Sequence, residues 1–267
     1  MRTLLARSAA QARYVLIGSS LLLFGFQMII IGQAAEIQRT QTFGLVEQLL
    51  PAFLQRGLGS RAMLLATFKG TVAFGYFHPV VCLIVAFAAM YVATEPAHEI
   101  ESGLVDLELA RAVPRRRLLT RSLLLAHLAI AAAVTVMFAG TAIGSRIFDT
   151  AGMDMPPAAM RLELLVNLAA TASCFTGFAL LVGTIAGRWV TAFTTAALTA
   201  VVLYLLDFLA MGWTAVKNVA WISPFHYYAA LSIVGGDASP WRDVSILFGA
   251  GAVCAAAAFW RFSRRDL

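Results

Sequence analysis

Long uninterrupted runs of apolar residues dominate the chain, and they fall into six stretches of bilayer-crossing length. A spanning helix needs roughly 20 mostly apolar residues, because the hydrocarbon core is about 30 Å thick and each helical residue rises about 1.5 Å. The stretches cover Tyr14–Ala34, Val72–Thr94, Ser122–Thr141, Leu164–Ala186, Thr191–Met211 and Val244–Phe262. Their apolar residues follow one another without the in-and-out alternation of barrel strands, so the pattern predicts helices. The expected fold is an all-α membrane protein, a single domain over residues 1–267 with six transmembrane helices.

Composition supports the membrane class. A content of 60% hydrophobic and 13% charged residues, with mean hydropathy +0.81, exceeds what a soluble domain of this size buries. The net charge of +6 is arranged by position. With the N-terminus inside, twelve of the twenty Lys and Arg residues fall on the inner side, including Arg2, Arg7, Arg13, Arg115, Arg116, Arg117, Arg121 and Arg188. The others, such as Arg39, Lys69, Arg146 and Lys217, are spread over three longer outer loops. Positive charge near span ends is retained in the cytoplasm, so both termini are expected there, in a bacterial inner membrane. The basic surplus then reads as topology and lipid contact rather than as a nucleic-acid surface. A cleavable signal peptide is the rival reading of the first span, but the apolar run exceeds the roughly 7–15 residues of such signals.

The connections differ in character. The loop from Ala35 to Thr71 carries Phe43, Leu45, Val46, Leu49, Leu50, Phe53 and Leu54 among polar residues, which predicts an amphipathic interfacial helix interrupted at Pro51. The loop from Gly212 to Asp243 is rich in Trp and Tyr, as expected of a cap at headgroup level. Spans four and five are joined only through Gly187, Arg188 and Trp189, which requires a tight antiparallel hairpin.

Candidate chemistry inside the spans is sparse. Cys82, Cys174 and Cys254 are far apart and read as apolar packing thiols, with no metal motif. Asp207 in the fifth span is the sharpest polar candidate, either lining a pathway or pairing with His226 or Lys217. His127 reads as an interfacial histidine, and Gln27 and Asn167 as interhelical hydrogen-bonders. Small residues at helical spacing on the fifth span, Ala192, Thr195, Ala196, Thr199 and Ala200, allow close approach of another helix, in this subunit or a second one.

The loop between spans two and three is the most informative segment. From Glu99 to Val113 its spacing predicts a helix with Ile100, Leu104 and Leu107 on one face and Glu101 and Glu108 on another. Pro114 ends that helix, and Arg115, Arg116 and Arg117 begin a new segment suited to an anionic leaflet. Read from these residues alone, it is a solvated surface helix that connects two spans.

With Glu99, Glu101, Gly103, Leu104, Leu107, Leu109, Pro114, Arg115 and Arg116 in this loop, the chain resembles the permease subunits of ABC-2 type transporters. The segments Ser223-Pro224-Phe225-His226-Tyr227-Tyr228 and Arg261-Phe262-Ser263-Arg264-Arg265-Asp266-Leu267 around the last span are similar to that family's C-terminal pattern. The resemblance implies an N-terminal interfacial helix and a cytoplasmic coupling helix between spans two and three. It also implies pairing with a second permease subunit and binding of an ATP-binding cassette ATPase through the first inner loop. The residues it assigns to coupling are Glu99, Ile100, Glu101, Gly103, Leu104, Leu107, Glu108, Arg111, Pro114 and Arg115. Ala110, Arg111 and Ala112 depart from the longer apolar run of many members.

No Gly-rich loop ending in Gly-Lys-Ser or Gly-Lys-Thr is present, and the only lysines are Lys69 and Lys217. ATP and magnesium are therefore expected in the partner subunit, with no cofactor bound by this chain. The implied function is export of a hydrophobic or amphipathic substrate. A membrane-embedded hydrolase would need a Gly-x-Ser-x-Gly turn or a His-Glu-x-x-His helix, and neither occurs. An ion-coupled secondary transporter would need several buried carboxylates, and the spans offer Asp207 alone.

Overall fold

The computed structural model describes residues 2–44, 61–104, 114–236 and 240–264, and no strand occurs among them. Six helices are long and apolar enough to cross a membrane. The helices among the described residues are α1 (Arg2–Thr40), α2 (Arg61–Leu65), α3 (Phe68–Phe77), α4 (Pro79–Ala93), α5 (Glu95–Glu101), α6 (Arg115–Ile147), α7 (Ala158–Ile185), α8 (Trp189–Ala210), α9 (Thr214–Lys217), α10 (Ala230–Gly235) and α11 (Trp241–Ser263), of which α2, α9 and α10 are too short to span. Two short 3-10 turns, Ala220–Ile222 and Pro224–Tyr227, precede α10.

Proline punctuates these elements. Pro79 and Pro96 sit in the first turn of α4 and α5, and Pro114, Pro157 and Pro240 occupy the N-caps of α6, α7 and α11. A first-turn proline loses no intrahelical bond and arrives with its φ preset. Between such stops the helices outrun the apolar stretches that seeded them. With 39 residues, α1 is about 58 Å long at 1.5 Å per residue. The N-terminal interfacial helix is accordingly not a separate element: Arg2 to Thr40 is one helix, with no proline or glycine before Gly18 to break it. The amphipathic segment around Pro51 lies outside the described residues.

The second span is not one helix, contrary to expectation. It breaks at His78, whose extended backbone (ψ 135°) separates α3 from α4, because Pro79 cannot donate to the α3 ladder. A break inside a membrane frees carbonyls that must be satisfied locally. Gln27 Nε2 of α1 donates to the Gly75 carbonyl at 2.8 Å, and the Tyr228 hydroxyl donates to the Tyr76 carbonyl at 3.0 Å. Tyr76 and Thr141 hydroxyls meet at 2.6 Å, and Thr141 donates weakly to Gln27 Oε1 at 3.4 Å, which joins α6 to the same network. Gln27 is thus the interhelical hydrogen-bonder expected; the Asn167 side-chain amide is fully buried without a hydrogen-bond partner among the described residues.

At the centre lies α7, the most buried of the spans, packed against α11, α4, α8 and α6. A Cβ on Gly177 would stand 2.1 Å from the Gly251 carbonyl oxygen, so α7 and α11 meet backbone to backbone. By contrast α1 and α8 are the least buried spans. The segment after α8 only partly forms the surface cap expected of it. Trp213, Trp221 and Trp241 are exposed, but Phe225 is buried between Phe175 and Tyr204, at 5.2 Å from each ring. Ser223 anchors that inward turn by donating to the Leu203 carbonyl at 2.8 Å.

Candidate functional site

The described residues singled out between spans two and three lie at one end of the bundle, around α5. The chain turns there at Thr94, which is buried and closes α4 by donating its hydroxyl to the Met90 and Tyr91 carbonyls, both at 3.0 Å. Pro96 then starts α5. Its first two carboxylates, Glu95 and Glu99, are four residues apart and share a face, a repulsive arrangement unless a cation lies between them. Arg121 is that cation. It projects from α6 with no exposed surface, 2.7 Å from Glu99 Oε2 and 3.7 Å from Glu95 Oε2. Ser122 donates to the same Glu95 oxygen at 3.4 Å.

The third carboxylate of α5 faces a different span. Glu101 Oε2 accepts from the Trp189 backbone N–H at 2.8 Å, and Oε1 lies 3.8 Å from Arg188 Nε. The N-cap of α8, Arg188, supplies no side-chain cap of its own. Glu101 therefore caps α8 from outside, where the helix dipole and an orphan N–H both favour an anion. The tight turn between α7 and α8, Ala186 to Arg188, is the hairpin expected from the sequence. Rings extend the contact: Trp189 stacks on Phe193 (5.8 Å, 9°) and meets Tyr91 of α4 edge-on (5.4 Å, 84°).

The helix expected over Glu99–Val113 is corrected here. It begins at Glu95 and ends at Glu101; Ser102 turns its hydroxyl back to the His98 carbonyl at 2.8 Å, and Gly103 takes φ +67°. A left-handed residue at that point stops a helix, and glycine adopts it without strain. Ile100 and Leu104 consequently do not share one continuous helix. Ile100 packs partly buried on the core, and Leu104 is half-buried beyond the turn. Leu107, Glu108 and Arg111 lie outside the described residues. Pro114 and Arg115 stand where α6 starts, and Arg116 and Arg117 are exposed.

Other candidates fall elsewhere. Asp207 lies 3.6 Å from His226 Nδ1, one of the two pairings anticipated for it, at the far end of α8. On α8 the small residues split: Ala192, Ala196 and Ala200 are fully buried within the chain, Thr199 is half-buried and Thr195 is exposed. The alanine stripe is therefore packing within one subunit. His127 is exposed, with its ring nitrogen 2.8 Å from the Leu123 carbonyl. The cysteines are free; Cys82 and Cys174 are buried and Cys254 is half-buried.

Sequence reasoning weighed Arg121 only as a topological charge. The signal that identifies it was present: one arginine among Leu118, Leu119, Leu123, Leu124 and Leu125, with two carboxylates at helical spacing upstream. A cation in such a setting needs an anionic partner.

A model of the ABC-2 family of transporter proteins matches residues 5–267. The chain belongs to this family. Comparison with curated proteins and with solved structures gave no match. ABC-2 membrane proteins are membrane subunits, not ATPases, and they work with an ATP-binding subunit. In this ABC-2 chain α5 is pinned to α6 by Glu95 and Glu99 and to α8 by Glu101, so the loop that follows it is rooted in three spans.

Proposed function

We propose that this chain is the permease subunit of an ATP-driven ABC exporter, with the α5 end of the bundle and both termini in the cytoplasm. The loop from Glu95 to Arg121 receives the ATP-binding subunit. The observation that carries the reading is the double anchorage of α5. A partner shifts a conformational equilibrium only through contacts that differ between states. Force applied beyond Gly103 reaches α6 through Arg121 and α8 through Trp189, without passing through a flexible joint within α5. The orientation rests on the Lys and Arg count, and the absence of a phosphate-binding loop assigns ATP and magnesium to the partner.

A second permease subunit completes the exporter. Its docking face includes the outward side of α8, where Leu198, Val202, Leu205 and Leu209 are exposed in sequence order along the helix. The cargo is hydrophobic or amphipathic, in keeping with spans lined by apolar and hydroxyl side chains. The test is co-expression of the tagged chain with candidate ATP-binding subunits encoded beside it. The expected result is a detergent-stable complex that hydrolyses ATP. A chain that captures none of them, yet moves a substrate in proteoliposomes under an ion gradient, would be a secondary transporter instead.

A further inference from the structure

Beside the ion-pair cluster is a half-open cavity of about 150 Å³, lying between the first turns of α1, the α4–α5 junction and the start of α8. The coupling reading makes no use of it. Its walls include Ser8, Gln11, Tyr91, Glu95, His98 and Trp189. Three of these are aromatic and form a corner: Tyr91 and His98 stand at 84° and 74° to the Trp189 ring, at 5.4 and 6.3 Å. The polar side carries one carboxylate, Glu95. Glu99 holds the close contact with Arg121 at 2.7 Å while Glu95 stands off at 3.7 Å. Ser8 lies beside Glu95. Yet Ser8 Oγ and Glu95 Oε1 are both buried and outside good hydrogen-bond geometry.

We infer that this cavity binds a primary ammonium group, carried by a lipid headgroup of the phosphatidylethanolamine type or by a small free amine. Four features specify that chemistry. An ammonium has three N–H donors and no acceptor, which matches Glu95 Oε1, Ser8 Oγ and the Gln11 side-chain oxygen. Aromatic faces attract a cation within about 6 Å of the ring. The volume is several times what a single water requires, enough for an aminoethyl group. Finally, Gln11 and His98 are exposed at its edge, so the cavity is open to entry. Occupancy would brace α1 against α5 and α8 and so set how stiffly the loop is rooted. The inference goes beyond the permease reading and does not depend on it.

The experiment uses the full chain in detergent with Trp213, Trp221, Trp241 and Trp260 replaced by Phe, which leaves Trp189 as the reporter. Short-chain phosphatidylethanolamine, short-chain phosphatidylglycerol and free ethanolamine are titrated separately while Trp189 emission is followed. The expected result is a saturable shift with phosphatidylethanolamine and none with phosphatidylglycerol. The same shift with ethanolamine shows that the free amine suffices; a shift with the lipid alone assigns the site to headgroups. Glu95→Gln should weaken binding at least tenfold, and Tyr91→Leu several-fold. If Glu95→Gln does not fold, Tyr91→Leu and the cavity-blocking Gln11→Phe carry the test, since neither side chain belongs to the ion pairs. An equal response to phosphatidylglycerol, no saturable response to either amine, or full binding by Tyr91→Leu and Gln11→Phe would overturn the assignment.

Discussion

Replacing Arg121 by methionine should be the most damaging single change at the root of the loop. Its guanidinium has no exposed surface and lies between two carboxylates, at 2.7 and 3.7 Å. Methionine fills much of the same volume, so the loss is electrostatic rather than a cavity. Removing one partner of a buried pair costs about 3–5 kcal/mol, because the remaining charge is stranded away from water. Here two carboxylates are left four residues apart on one short helix, which places the expected cost at the upper end of that range. Against a typical stability of about 5–15 kcal/mol this is a large fraction. The local consequence is release of α5 from α6, seen as faster amide exchange over Glu95–Glu101 and a lower melting temperature in detergent. The same account predicts its own rescue. Glu95→Gln and Glu99→Gln combined with Arg121→Met should recover much of the loss, since an apolar or neutral replacement of a whole buried ion cluster is often tolerated. Thermal unfolding followed by fluorescence size exclusion measures both. A single Arg121→Met variant as stable as the parent, or a triple variant worse than the single, would refute the argument.

Three further outcomes follow from the geometry. Glu101→Gln should leave the bundle folded, costing no more than about 1 kcal/mol as expected of a partly exposed helix-terminus charge, but should reduce partner-stimulated ATP hydrolysis more than partner binding; equal losses in both would argue against transmission through Glu101. Gly177→Val should cost several-fold in folded yield or more, because even a Cβ there stands 2.1 Å from the Gly251 carbonyl, and the check is the folded fraction after membrane extraction. Cysteines at Leu198 or Val202 should crosslink between subunits under oxidation, whereas one at Ala196, buried within the chain, should not; a crosslink at Ala196 alone would reverse the assignment.

Which parts of this architecture were readable beforehand follows from the physics of each signal. Spans are visible because twenty apolar residues in a row have few other uses, and the tight turn at Gly187–Arg188 is visible because three residues permit little else. The break at His78–Pro79 was equally visible in principle, but hydropathy is blind to it, since apolar residues continue on both sides. Gln27 and Tyr228, which satisfy the freed carbonyls, are separated from those carbonyls by 48 and 152 residues and carry no local mark of the task. The coupling segment shows a different limit. Periodicity favoured a long helix from Glu99 because Ile100, Leu104 and Leu107 fit a helical face. Ser102 and Gly103 overrule that fit locally, one by bonding back to the helix and the other by taking a left-handed backbone. Arg121 was hidden by its own category: in a charge count an arginine marks a side of the membrane, and only its buried position shows that it holds two helices together. The alanines of α8 show that small residues at helical spacing specify close approach without specifying to what.

The central claim, that the segment beyond α5 is where an ATP-binding subunit grips the spans, is tested most directly by Leu104→Asp with Leu107→Asp. Neither residue falls in the six apolar stretches of the sequence, so insertion and folding should be retained. A leucine buried against a partner contributes roughly 1.5–3 kcal/mol, so the pair should weaken the complex by tenfold or much more at about 1.4 kcal/mol per tenfold. The measurement is capture of the ATP-binding subunit by the purified double variant, beside the parent chain at matched concentration. The account predicts loss of capture and of the ATP hydrolysis that depends on it. Full capture with full hydrolysis would contradict it and leave the loop a plain connector between two spans.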